Sequence, residues 1–325
     1  MDYRDAATAG PMDEDEAGGA FETREAPITS AEHGERLDKV LAVRVPEFSR
    51  TWMQALVERG HVRLDGVVAT ASSRRVRARQ KLAVDLVPTD ESLAFRPQAK
   101  EITALWEDEH LLVLDKPAGL VVHPAAGNWS GTLLNGLLAR HPGAAQLPRA
   151  GIVHRLDKDT SGVMVVGKTL LAVTALSRAI ADRSVQRRYL AIAEGAVTGA
   201  EFSIEAPIGR DPVSRVRMAV VANGKPARTD VRRVAVKGGF SALRCALHTG
   251  RTHQIRVHLA SRGHPLVGDT VYGGHPALGL VRQGLHAFRL VLTHPVTGAV
   301  VEVRCAPPPD FAAAWSAVAG AQGLE

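Results

Sequence analysis

Residues 151–162 read GIVHRLDKDTSG and place His154, Arg155, Asp157, Lys158, Asp159, Thr160 and Ser161 between an apolar start and Gly162. An imidazole, a guanidinium and a carboxylate are thus crowded where a strand hands over to a turn, and such turns present side chains into clefts. His154 and Asp157 could form half of a metal site. The second cluster that this requires, His253 and His258 in GRTHQIRVHL, has a spacing of five and not the i, i+4 of a helical zinc pair, so no metal is expected. Ser161 lacks the glycine-x-serine-x-glycine elbow of a serine nucleophile. A carboxylate remains, Asp157, and a partly buried carboxylate needs a nearby cation to stay ionised. At ~4 Å and an effective dielectric of about 20, one guanidinium supplies about 4 kcal/mol. Arg155 and Arg251 are the candidates for that cation. The alternative for a lone loop aspartate is a turn cap or an exposed pair with Lys158.

The chain that must position these groups has 325 residues, 45% of them hydrophobic, enough for two domains with ordinary cores. Residues 1–30 carry eight acids against Arg4 and Arg24, a local −6 within a chain of net +6, which leaves about +12 on the remainder. A basic body of that size favours a polyanionic partner, nucleic acid first. Cys245 and Cys305 are too far apart in sequence for a Cys-x-x-Cys motif, which excludes a zinc knuckle and a disulfide framework and fits a reducing cytoplasm. No basic start leads into an apolar stretch and no apolar run reaches membrane-spanning length, so neither export nor membrane insertion is expected.

Residues 1–34 read as an acidic disordered tail. From Glu35, the spacing of Leu37, Val40 and Leu41 and then of Met53, Leu56 and Val57 predicts two short helices, the second capped by Ser49 and ended by Gly60. A hairpin follows around Asp65-Gly66, and KLAVDLV at 81–87 closes a small domain over 35–87. Residues 88–101 read as a linker. From 102 to 310, short apolar runs separated mostly by turns predict an α+β domain with a mixed, largely antiparallel sheet, flanked by helices near 169–182 and 252–262. Residues 311–325 form an alanine-rich tail, one helix at most, without evident chemistry.

The order helix-helix-hairpin, with the wording RLDKVLA, SR and GHVRLDG, resembles the small RNA-binding module first described in a small-subunit ribosomal protein. GIVHRLDKDTSGVMVVGKT resembles the signature of the pseudouridine synthases that act on large-subunit ribosomal RNA, the RluA/RluD type. LDKPAGLVVHP at 114–124, QRRYLAIAEG at 186–195 and TGRTHQIRVHLASRGHPLVGDTVYG at 249–273 are similar to that family's other segments, in the family's order. Small departures, Ser161 and Arg187 among them, touch none of the main roles.

The resemblance implies an isomerase that converts uridine to pseudouridine without cofactor. It makes Asp157 the catalytic aspartate, Tyr189 the aromatic that stacks on the flipped base, Arg251 the arginine paired with the aspartate, and Arg155 the residue that enters the RNA helix where the uridine has left. His154, Arg187, Arg188, His253 and Gln254, with Arg36, Arg50 and Arg74 of the small domain, are the further RNA-binding candidates; Lys116, Pro117, Gly119 and His123 shape the cleft floor, and Arg183, Arg215 and Arg217 are candidates for phosphate contact. Extracting a base costs a few kcal/mol and stacking it on an aromatic returns about 1–3 kcal/mol, so the exchange is nearly balanced. Asp157 could attack the anomeric carbon or remove the neighbouring ribose proton, and the final base could be Tyr189 or the freed carboxylate. The implied partner is large-subunit ribosomal RNA or a pre-ribosomal particle, met by a cytoplasmic monomer. Two rivals differ in their products: a silent RNA binder gives none, and an RNA glycosidase, for which Asp159 would have to activate water, releases free uracil.

Overall fold

In the computed structural model, which describes residues 22–87, 93–125, 127–214 and 217–320, the chain divides into two compact units at Leu93/Ala94. In the smaller unit β1 (Glu22–Pro27) precedes α1 (Leu37–Arg44) and α2 (Arg50–Glu58), followed by β2 (Val62–Leu64), β3 (Val67–Val68) and β4 (Lys81–Leu86). Ser49 accepts the Trp52 backbone N–H at 3.2 Å, as an N-cap should. Asp65 and Gly66 both take positive φ in the hairpin turn, as a two-residue turn of this twist requires. Leu37, Leu41, Met53, Leu56 and Val62 make a separate core between the helices and the sheet.

Residues 22–34 are not a disordered tail: β1 pairs antiparallel with β4 through six partners, and Glu32 is tied to Arg44. The backbone hydrogen bonds of β4's free edge are what order this charged segment, and the part of the expected tail over 1–21 lies outside the described residues. The second half of the expected linker is also structured, because Asn135 Nδ2 donates to the carbonyls of Ala94 and Arg96 and so binds that segment to the larger unit.

The larger unit runs β5 (Thr103–Glu107), β6 (Leu111–Lys116), α3 (Leu133–Arg140), β7 (Ser161–Gly167), α4 (Leu170–Ala181), β8 (Gln186–Glu194), β9 (Glu201–Glu205), β10 (Ile208–Arg210), β11 (Met218–Val220), β12 (Arg228–Lys237), β13 (Phe240–Leu247), α5 (Gln254–Ser261), β14 (Leu285–Thr293), β15 (Val300–Arg304) and α6 (Pro309–Ala319). Nine strands form one sheet in the order β5-β6-β7-β14-β8-β13-β12-β9, with β15 also on β14, while β10 and β11 pair apart. Only the β7–β14 pairing is parallel, so the expected mixed and largely antiparallel sheet is the one observed.

That parallel pairing depends on Gly162. Its φ is 115°, and a Cβ there would lie 2.1 Å from the Ala287 carbonyl oxygen. No other residue lets the strand after the HRLDKDTS loop approach β14 so closely. The expected tail is also part of the fold: α6 buries Phe311, Ala314, Trp315 and Val318 against Leu190, Ile192 and Phe288 on one face of the sheet. The main core fills the other face, with Val163, Val165, Tyr189, Ala191, Leu243 and Cys245.

Candidate active site

The loop 153–160 lies over the core face of the sheet, and its backbone is pinned from beneath. Lys116, fully buried, donates through Nζ to the carbonyls of Pro117, Leu120 and Lys158 at 2.7, 3.0 and 2.9 Å. Burial pushes its ammonium down to about 7, with Asp159 and Asp157 opposing that shift. Gly119 donates its N–H to the Lys158 carbonyl, and Thr160 N–H closes a turn on the Asp157 carbonyl. The turn thus holds Asp157 with its side chain 14% exposed, facing a cavity of about 500 Å³.

One guanidinium holds that carboxylate, and it belongs to Arg256. Arg256 Nη1 donates to Asp157 Oδ2 at 3.1 Å, while its Nε and Nη2 grip Asp269 at 2.7 and 2.8 Å. The Tyr272 ring lies against the same guanidinium, 4.9 Å from ring centroid to Cζ. The Tyr272 hydroxyl accepts the Met218 N–H at 3.0 Å and shares a 2.8 Å hydrogen bond with His253 Nδ1. With the phenol proton given to Nδ1, the Nε2–H of His253 faces Asp157 Oδ1 at 3.9 Å. Among the described residues Oδ1 accepts no hydrogen bond, which leaves it the freer of the two oxygens.

Tyr189 forms part of the wall. Its ring is 5% exposed and packed in the core, and its hydroxyl makes no hydrogen bond among the described residues. Burial first, then the Asp157 charge, raises its phenol to about 12 against the opposing pull of Arg187. His154 and His123 are pushed down to about 3 and about 4, mainly by burial and then by neighbouring arginines, so both are neutral at pH 7. Arg149, Arg155, Arg183, Arg187, Arg251 and Arg256 line the cavity, and Asp157 is the single carboxylate among the described residues that do so.

Of the residues singled out from the sequence, Asp157, Tyr189, Arg251, Arg155, His154, Arg187, His253 and Gln254 all border this cavity. Four of the readings are altered by the geometry. Arg251 does not pair with Asp157; its Nε donates to the Pro226 carbonyl at 3.1 Å, because it precedes α5 while Arg256 lies on the buried helix face. Arg188 projects from the opposite face of the sheet, since strand side chains alternate, and it lines a separate groove with Arg232 and Arg244. Gln254 uses its side-chain polar atoms internally, accepting from Thr249 and the Arg251 N–H and donating to Arg228 O and Thr229, so it holds the 249–251 turn and has none left for RNA. His154 is neutral, and its Nε2 accepts the Val165 N–H at 3.0 Å, which makes it a prop for the loop and not a phosphate ligand.

Arg256, Asp269, Tyr272 and Arg149 were not singled out. GRTHQIR offers two arginines, and only the start of α5 at Gln254 decides which of them faces inward. In the smaller unit, Arg36 and Arg50 converge on the buried carboxylate of Asp38 at 3.0 and 3.1 Å, while both side chains stay about half exposed. Arg74 is exposed, and Arg215 lies outside the described residues.

The RNA pseudouridylate synthase family matches residues 110–261, and the S4 domain family matches residues 35–81. A protein of Nitrosomonas europaea named ribosomal large subunit pseudouridine synthase D is 46% identical over 293 residues, covering 88% of this chain and 85% of that one. The chain belongs to the RNA pseudouridylate synthase family. A Xanthomonas campestris protein of the same name is 44% identical to this synthase over 308 residues, 91% of this chain and 92% of that one. Among solved structures, human RNA pseudouridylate synthase domain containing 1 superposes with a TM-score of 0.52 at 28% identity, over 66% of the synthase and 86% of the human chain. The synthase is thus an RNA-modifying isomerase with an amino-terminal S4 domain, and among its described residues no helix is long and apolar enough to cross a membrane.

Proposed function

We propose that the synthase isomerises uridines of large-subunit ribosomal RNA, free or in a pre-ribosomal particle, with Asp157 as the reacting group. The observation that carries this reading is a lone carboxylate in a cavity lined by six arginines, with Oδ2 engaged by Arg256 and Oδ1 without a hydrogen bond among the described residues. The arginines suit the phosphates of a polyanion, and the single carboxylate suits a reaction that consumes no water.

Asp157 Oδ1 begins the reaction. It either bonds to the anomeric carbon as the bond from that carbon to uracil N1 breaks, a bond that breaks again when carbon 5 attacks, or takes the neighbouring ribose proton as uracil leaves and returns it to the same ribose carbon when carbon 5 attacks; either way the carboxylate is set free. The detached uracil turns within the cavity, rejoins the sugar through carbon 5, and leaves N1 to take a proton. Tyr189 stacks on the base, which helps repay the cost of flipping. Its phenol, raised to about 12, keeps its proton at neutral pH, so the released carboxylate of Asp157 takes the carbon 5 proton. Arg155, exposed at the cavity and without an ion pair among the described residues, fills the gap that the flipped nucleotide leaves. In this reading the synthase acts as a cytoplasmic monomer.

Pseudouridine mapping in total RNA from cells with and without the gene tests the substrate. Loss of pseudouridine confined to large-subunit ribosomal RNA is expected. Loss in transfer RNA alone, or no loss, would overturn the assignment, and uracil release with an abasic site would identify a glycosidase.

A further inference from the structure

Seven described residues other than glycine have positive φ, and three of them, Arg149 (53°), Arg183 (63°) and His253 (57°), line the one cavity that holds Asp157. A side chain in this conformation crowds its own carbonyl, so the position favours glycine unless the side chain is needed. His253 is needed within the Arg256 and Tyr272 network. The two arginines have no such internal use: both are exposed, and neither makes an ion pair or side-chain hydrogen bond among the described residues. Arg149 begins a left-handed run of three, Arg149, Ala150 and Gly151, that leads into the HRLD loop. Arg183 stands just beyond the α4 cap at Asp182, the place where a helix most often ends on glycine. Two neighbouring segments thus each carry backbone strain to hold an unpaired guanidinium at the cavity.

We propose that Arg149 and Arg183 are a phosphate clamp for the nucleotides that flank the target uridine, held in place by a strained backbone at a cost in stability. The inference rests on the reading of the cavity as an RNA site and extends it to two residues outside the carboxylate network. Guanidiniums are the natural ligands here, because they offer a phosphate two parallel N–H groups and cannot lose their charge.

The strain supplies a test that an ordinary surface arginine would not. Replacing either residue by glycine removes the cation and relieves the backbone together. For Arg149→Gly, Arg183→Gly and the double variant, three quantities are measured on the full chain: the thermal midpoint, the affinity for a large-subunit ribosomal RNA transcript over a range of salt, and tritium release from that transcript carrying [5-³H]uridine at saturating protein. The thermal midpoint should hold or rise. The affinity of the double variant should fall about tenfold or more at moderate salt, and its log-log salt slope should shrink by about 1.5, as for two lost phosphate contacts. An unchanged affinity and slope would overturn the clamp, and so would a lowered thermal midpoint, since the arginines would then be supporting the fold. If wild type itself releases no tritium, the reading of the reaction fails, while the affinity and stability comparison still decides the clamp.

Discussion

Arg256 spans two carboxylates with one guanidinium, and this gives the site both its order and its fragility. Removing it leaves Asp269, with a side chain 1% exposed, buried and unpaired. Arg256→Ala should therefore cost about 3–5 kcal/mol in urea unfolding, whereas Arg251→Ala should cost less than about 0.5 kcal/mol. Equal costs would contradict the assignment of the pair. His154 gives a second test at this scale. Burial holds its imidazole at about 3 in the folded chain, below its ordinary 6.5, so the unfolded chain takes up the proton first as pH falls. Stability is whole above about 6.5 and is lost on the way down towards about 3. His154→Gln, which can still accept the Val165 N–H, should flatten that loss, and an unchanged pH profile would count against it. The sequence made Asp157 and Tyr189 visible because their motifs are local. It could not choose between Arg251 and Arg256, since the answer lies in where one turn of chain becomes helix.

The elements matter through two devices, the glycine approach of β7 to β14 and the lysine beneath the loop. Gly162→Ala should destabilise the fold by about 2–4 kcal/mol, because a methyl group cannot share space with the Ala287 carbonyl, and a chemical unfolding curve like that of wild type would refute this. Helices near 170–181 and 254–261 were legible from apolar spacing and a terminal glycine. β1 was not, since an edge strand exposed along nearly its whole length has no alternation to read. The helix α6 shows the opposite case: Phe311, Ala314, Trp315 and Val318 have core spacing, but a short alanine-rich segment gives no sign from composition that it will seal one face of a sheet.

For the whole molecule, the legible feature was the imbalance of charge, and the structure explains where some of it is used. Six arginines border one cavity in the larger unit, while Arg36 and Arg50 are fixed on Asp38 in the smaller one. If the S4 unit shares in RNA binding, Arg74→Ser, at an exposed position, should weaken affinity for large-subunit RNA and shrink the salt slope by about 0.9. Unchanged affinity would remove that residue from the interface.

In the proposed reaction one oxygen of Asp157 performs the chemistry while the rest of the cavity binds and orients. Single-turnover tritium release from a [5-³H]uridine transcript, with RNA affinity measured in parallel, tests it most directly in Asp157→Asn. Affinity should stay within a few-fold of wild type, and release should slow by on the order of 10⁴-fold or more. Release at a rate near that of wild type would contradict it.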